Sequence, residues 1–371
     1  MFKQLWFNKK IGASVILILL CVKTSLSQES INAAYNYGSI LIHSTSINEI
    51  GTGPVKGFTI NYSFSNKRGE EWRKYYNYPN YGISYNFKSY GNPDVLGNSH
   101  SLTSFLQLSF LRKHRFFDLG FKGFAGAGYF TKKYDPVRNP KNRAISAHVN
   151  ISAEARLYSK IRVEPLFIEY SFGLNHFSNG LIKAPNLGIN VLNNTFTFGY
   201  EFEKQAVVKK PIKTERPALL KNEFWFFAST GLKEVDEQEQ KYMFSSISLN
   251  FSKQFTPINK IGVGLDFLND PSLTSQAYMN YHYLGESDLN FRYGFNIHNE
   301  FLMGKTSLFA AYGFYLRKSE FYTSRRYYKA GFKFYFGNIL GVVLIRAIPL
   351  FRADVVEFGI GYRFLNKKKI K

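Results

Sequence analysis

Apolar and polar residues alternate with period two along almost the whole chain. Tyr81, Ile83, Tyr85 and Phe87 are interleaved with Gly82, Ser84, Asn86 and Lys88, and Leu289, Phe291, Tyr293, Phe295 and Ile297 with Asn290, Arg292, Gly294 and Asn296. Val356, Phe358, Ile360, Tyr362 and Phe364 repeat the pattern near the end. On a strand, successive side chains point to opposite faces, so each segment has one greasy and one polar face. Runs of roughly 9–11 residues suit strands that cross a bilayer at a tilt. A soluble sandwich shares the period but uses shorter strands and fewer aromatics. Eight strands are expected before residue 203, near 32–42, 57–66, 81–90, 101–111, 116–130, 144–158, 162–178 and 188–202. Residues 204–222, with Lys209, Lys210, Pro211, Lys213 and Pro217, break the alternation and read as a linker or long turn. A second set of strands is expected over 223–364. The fold class is therefore all-β, an antiparallel transmembrane barrel of the outer-membrane kind. Two eight-stranded barrels and one barrel of roughly 14–16 strands both satisfy the bilayer.

Composition supports the membrane reading. Aromatic residues make up 18% of the chain, with 37 Phe and 26 Tyr, beside many Asn, Ser and Gly. The N-terminus reads as an export signal over residues 1–27: Lys3, Lys9 and Lys10 precede an apolar run from Ile11 to Val22, and Ser25-Leu26-Ser27 offers a small-x-small cleavage site. That run is too short for a spanning helix, which needs about 20 residues. Cleavage would remove Cys21, the single cysteine, and with it any thiol or disulfide chemistry. The net charge is +22, and removing the four lysines of residues 1–27 leaves +18. Such a balance favours an anionic partner. For an exported barrel this is lipopolysaccharide among outer-membrane lipids, not nucleic acid. Residues 365–371 form a basic tail.

The most informative stretch is His176-Phe177-Ser178-Asn179-Gly180, followed by Pro185-Asn186-Leu187-Gly188-Ile189-Asn190. It sets a base and a hydroxyl two residues apart at the end of a strand, roughly 6.5–7 Å between Cα atoms and on one face. Ser–His pairing is the minimal device for activating a hydroxyl. On this strand the even positions Leu166, Ile168, Tyr170, Phe172 and Leu174 are greasy, so His176 and Ser178 continue a lipid-facing row, and Asn190 shares that parity on the next strand. With both termini on the periplasmic side, odd strands run outward. Arg112 to Arg115 and Ser159 to Arg162 fit short periplasmic turns and Thr131 to Arg143 an external loop, which puts the motif in the outer leaflet. The connection from Asn66 to Asn80 is long for a periplasmic turn. Polar residues at a strand end also mark an ordinary membrane–water boundary, where an outward His or Ser costs little.

The stretch from about Ser171 to Phe202 resembles the PagL-type lipid A 3-O-deacylases of the acyloxyacyl hydrolase family, through His-x-Ser-Asn followed by Pro-Asn-x-Gly. A looser barrel likeness extends over residues 29–203. The resemblance implies an eight-stranded outer-membrane barrel with a Ser-His-Glu site on its lipid side. It makes Ser178 the nucleophile, His176 the general base, and Asn179 and Asn186 supports of the oxyanion. The family's acidic member falls at Asn190. An amide oxygen can accept from the imidazole and fix its tautomer, but it cannot stabilise imidazolium by charge.

The expected activity is hydrolysis of an ester-linked acyl chain of lipid A. Lys132, Lys133, Arg138, Lys141 and Arg143 on the external loop are the expected phosphate contacts, or else a solvated basic loop. No cofactor is expected, and no metal, since His/Cys clusters and a carboxylate-rich 12-residue loop are lacking. Glu234 to Glu239 lacks the spacing of a calcium loop, and the glycines from Gly120 to Gly128 read as barrel packing. The competing class is a non-enzymatic barrel: a porin, a surface-binding protein or an inactive relative.

Overall fold

A computed structural model describes residues 27–51, 53–66, 72–111, 116–202, 222–235, 240–275, 287–316, 324–348 and 352–366. The expected export signal up to residue 26, the expected linker up to residue 221, most of the acidic stretch and most of the basic tail lie outside the described residues, whereas Ser27 and Asn222 already open strands. The expected turn at 112–115 also lies outside the described residues.

Eight strands form the first barrel: β1 (Ser27–Ile40), β2 (Val55–Asn66), β3 (Asn80–Ser89), β4 (Asn98–Ser109), β5 (Phe117–Phe130), β6 (Val149–Val163), β7 (Leu166–Ser178) and β8 (Ile189–Glu201). Each pairs antiparallel with the next, and β8 closes on β1 from Ser30 opposite Glu201 to Ile40 opposite Val191. A second closed barrel follows: β9 (Asn222–Glu234), β10 (Lys241–Thr256), β11 (Asn259–Asn269), β12 (Phe291–Met303), β13 (Thr306–Tyr315), β14 (Arg326–Phe336), β15 (Ile339–Ile348) and β16 (Arg352–Asn366). It closes with Asn366 opposite Asn222. The single larger barrel left open by the alternation is not formed. Closure within each half pairs every strand edge, which is what hydrocarbon demands.

Two local expectations are corrected. Residues 159–162 belong to β6, and the chain reverses at Glu164–Pro165 instead, because alternation alone does not fix where a strand stops. The long connection before β3 holds a short helix, Trp72–Tyr75. The described turns at one end of the barrels, 164–165, 257–258, 304–305 and 337–338, are tight. Connections at the other end include the longer 41–54, 131–148 and 179–188. Both chain ends of the first barrel lie away from the long loops.

Alternation sorts side chains as the bilayer requires. Along β7, Leu166, Ile168, Tyr170, Phe172 and Leu174 are exposed, whereas Phe167, Glu169, Ser171 and Asn175 are buried. Eight strands leave an interior just wide enough for side chains, and ion pairs fill it. Lys122 Nζ lies 2.5 Å from Glu169, Arg156 grips Glu154 at 2.7 and 2.9 Å, and Arg162 bridges Asp118 and Glu201. The second barrel is filled alike, with Lys333–Glu300, Lys260–Glu223 and Arg346–Glu357 at 2.5–2.6 Å. At the long-loop end of the first barrel, Tyr90, Phe130, Ile145, Phe177, Ile189 and Val191 belong to an apolar plug.

The two faces of β7 should therefore respond oppositely to charge. Phe172→Arg should destabilise the barrel by about 2–4 kcal/mol in a bilayer, the cost of a cation at mid-depth on the lipid face. Glu169→Leu should cost about 3–5 kcal/mol, because it strands Lys122 and Lys160 as buried charges without their carboxylate. Denaturant titration in lipid vesicles measures both.

Candidate active site

Phe177 faces inward, edge-on to Phe130 with ring centroids 5.1 Å apart. This anchor turns its neighbours His176 and Ser178 to the other face of β7. Strand pairing places His176 directly opposite Asn190 on β8. The two side chains meet: His176 Nδ1 lies 2.7 Å from Asn190 Oδ1. With the amide oxygen accepting, Nδ1 carries the proton and Nε2 keeps its lone pair. Among the described residues no carboxylate is hydrogen-bonded to His176.

Asn190 has a second neighbour that the sequence did not single out. Its Nδ2 lies 3.5 Å from Nδ1 of His43, in the β1–β2 connection, and the His43 ring is bracketed by the carbonyls of Leu41 and Leu187 at 3.1 and 3.2 Å. A histidine 147 positions away carries no sequence signal linking it to the motif; only closure of β8 on β1 brings it here.

Ser178 is only 5% exposed, less open than a lipid-facing position on a bare strand. Its Oγ accepts the Gly180 N–H at 3.3 Å, and no hydrogen bond joins it to the imidazole among the described residues. The cover comes from the loop 179–188 folding back. Gly188, at φ +73°, sits so close that an added Cβ would lie 3.0 Å from His176 Cε1 and 3.4 Å from Ser178 Cβ. The imidazole edge and the seryl side chain thus border one point.

Asn179 and Asn186 occupy different situations. Asn179 Nδ2 donates to Ser146 Oγ at 2.8 Å and to Lys183 O at 3.0 Å, so its amide is engaged in tying the loop to the β5–β6 connection. Asn186 Oδ1 accepts the Asn179 N–H at 3.2 Å, while its Nδ2 is a buried donor with no hydrogen-bond partner among the described residues. Buried donors are seldom left without an acceptor. Ser146, missed by sequence reasoning, also donates to Lys183 O at 2.7 Å.

The basic residues lie on the β5–β6 connection. Lys132, Arg138, Lys141 and Arg143 are exposed and Lys133 is half-buried. The loop is shaped by Asp135, whose carboxylate accepts the Arg138 and Val137 N–H groups at 2.7 and 2.9 Å; these bonds hold its pKa below the ordinary carboxylate value. The backbone also reaches the site, since Leu187 and Gly188 N–H donate to the carbonyls of Arg143 and Ala144. Among the described residues no group of three or more His, Cys, Asp or Glu is placed to hold a metal.

Comparison with known proteins supplies the class. Residues 56–201 match the family model described as lipid A 3-O-deacylase (PagL), and residues 222–368 match that described as acyloxyacyl hydrolase, C-terminal domain. The chain belongs to the PagL-type acyloxyacyl hydrolase family, which supports lipid A deacylase activity in general and makes it a hydrolase acting on lipid A. The second match also takes in the half that the sequence motif left unexplained. No curated protein sequence matches significantly. Among solved structures, a double mutant and a triple mutant of Rhodopseudomonas blastica porin are similar at 10% and 9% identity. Each covers 91% of this chain and 100% of the porin, with a TM-score of 0.18, too loose a superposition to bear on fold or function.

Gly188→Ala should force both a left-handed backbone on a residue with a Cβ and a shift of the imidazole. We expect a loss of about 1–2 kcal/mol in stability and a displaced His176 ring signal by NMR. An unshifted ring would show that Gly188 does not set the position of the imidazole.

Proposed function

We propose that this chain is an outer-membrane esterase that hydrolyses an ester-linked acyl chain of lipid A at Ser178 and His176. The observation that carries this reading is the 2.7 Å contact of His176 Nδ1 with Asn190 Oδ1, which leaves Nε2 with its lone pair on a ring that, with the Ser178 side chain, flanks Gly188. Ser178 Oγ attacks the ester carbonyl carbon and its proton passes to His176 Nε2. The tetrahedral oxyanion takes the N–H of Asn186 Nδ2, the unpartnered donor in the loop. His176 then protonates the leaving alkoxide of the sugar, and an acyl-serine remains. Water, activated by the same imidazole, releases the fatty acid and restores Ser178.

Several features support the location. His176 and Ser178 continue the strand row of Phe172 and Leu174, both exposed, so acyl chains lying along the barrel reach the edge of the loop that covers Ser178. On the same side of the barrel, an open groove of roughly 500 Å³ is bordered by Tyr37, Ser39, Ile42, Pro54, Leu192 and Asn194, room for one chain. Lys132, Lys133, Arg138, Lys141 and Arg143 are the candidate partners of the lipid A phosphates. The lumens packed with ion pairs weigh against a conducting pore.

Asn190 has a kinetic consequence. It orients the imidazole as a neutral acceptor but offers the transient imidazolium a dipole instead of a charge, so the native enzyme should be slow.

Mass spectrometry of lipid A from expressing cells tests the reading: one acyl chain should be lost, and Ser178→Ala should cut the rate by at least about 10³-fold. Identical lipid A with native and Ser178→Ala chains would end it. Asn190→Glu should raise kcat roughly tenfold or more, as read by fatty-acid release. Joint Lys132→Glu and Lys141→Glu substitution should raise KM for phosphorylated lipid A and leave kcat nearly as it was. An unchanged KM would reduce the loop to a solvated surface.

A further inference from the structure

The loop that covers Ser178 does not rest on the first barrel alone. Gly180 and Leu181 both adopt left-handed backbone, at φ +64° and +66°. Leucine seldom does so, and such a residue persists only where its surroundings hold it. What holds it belongs to the second barrel. The N–H of Glu234, the last residue of β9, donates to Leu181 O at 2.9 Å, and Glu234 Oε1 accepts the Ala184 N–H at 3.2 Å. Gly180 packs against Val356 of β16, so closely that an added Cβ would lie 2.1 Å from its Cγ2. Val356 has the outward parity of Phe358 and Ile360, which are 54% and 66% exposed, yet it is 2% exposed itself. Glu234 is also buried, at 2%. A carboxylate taken out of water to receive a loop amide is a costly arrangement unless it shapes something.

We propose that the second barrel braces the loop 179–188 in its site-forming shape, with Glu234 as the positioning residue. The proposal rests on the esterase reading for its catalytic meaning. Asn179 and Asn186 lie on either side of the segment that Glu234 clamps, and Gly188, which borders the imidazole and Ser178, follows it. Glu234 grips both ends of the turn 181–184, through its main chain and its side chain. Releasing it should loosen the oxyanion donor without touching Ser178 or His176. The second barrel would then serve as a scaffold for chemistry done by the first, with no site of its own required.

Amide hydrogen exchange on the full chain in phospholipid nanodiscs tests the brace independently of turnover. Glu234→Ala should speed exchange at Ala184 and across 179–188 at least tenfold. Glu234→Gln, whose amide oxygen still accepts, should stay within twofold of the native chain. Unchanged exchange in Glu234→Ala overturns the proposal. Should Glu234→Ala lose the protection of β9 and β10 and so fail to fold, Val356→Ala is the deciding variant, with a threefold or larger acceleration expected over 179–188 and no change overturning it. In the same preparations, release of fatty acid from lipid A should show Glu234→Ala lowering kcat about tenfold with KM within twofold, and Glu234→Gln restoring it. If the native chain releases no fatty acid, the esterase reading fails, while the exchange data still decide the brace.

Discussion

The site depends on one register: β7 and β8 pair so that His176 stands directly opposite Asn190. Side chains on a strand have a strict period of two, so a slip by one residue would turn His176 into the lumen and bring the ion-pairing residues out into lipid. Neither move is affordable in free energy. Buried partners such as Glu169 and Lys122 fix the inward row, Phe177 adds an apolar anchor beside the motif, and the outward row is left to meet hydrocarbon. The imidazole–amide contact is thus set by constraints spread over the whole barrel.

That contact also defines the chemistry. An amide can hold an imidazole in one tautomer, and His43 Nδ1 lies 3.5 Å from the Asn190 amide nitrogen. It supplies no negative charge when the imidazole gains a proton. On the proposed reading, the arrangement is that of a base oriented well and stabilised weakly. Around it, the loop 179–188 is tied by Ser146 on one side and by Glu234 on the other, so a short segment connects the first barrel's β5–β6 connection to the second barrel. The family matches run through both barrels.

Much of the architecture was legible in the chain. Tyr81 to Phe87 or Val356 to Phe364 can be read as two-faced strands because a bilayer rewards strict alternation. The common parity of His176 and Ser178 was legible for the same reason, since side chains two residues apart on a strand share a face. Strand ends were less so: the chain turns at Glu164–Pro165 and not at 159–162, because alternation runs smoothly through both places. Whether the halves made one barrel or two was also hidden, since each strand resembles every other and the choice of closing partner is not written in any of them.

By itself, then, the sequence determined that successive side chains of each strand divide between two faces, one greasy and one polar, because this follows from local backbone geometry and the cost of charge in hydrocarbon. Only the tertiary structure decided that Ser178 lies under a folded-back loop, that Asn186 holds an unpartnered donor, and that His43 and Glu234 belong to the same neighbourhood. Those facts arise from contacts between segments far apart in the chain. Their energies depend on how the barrels close and abut, which no local pattern encodes.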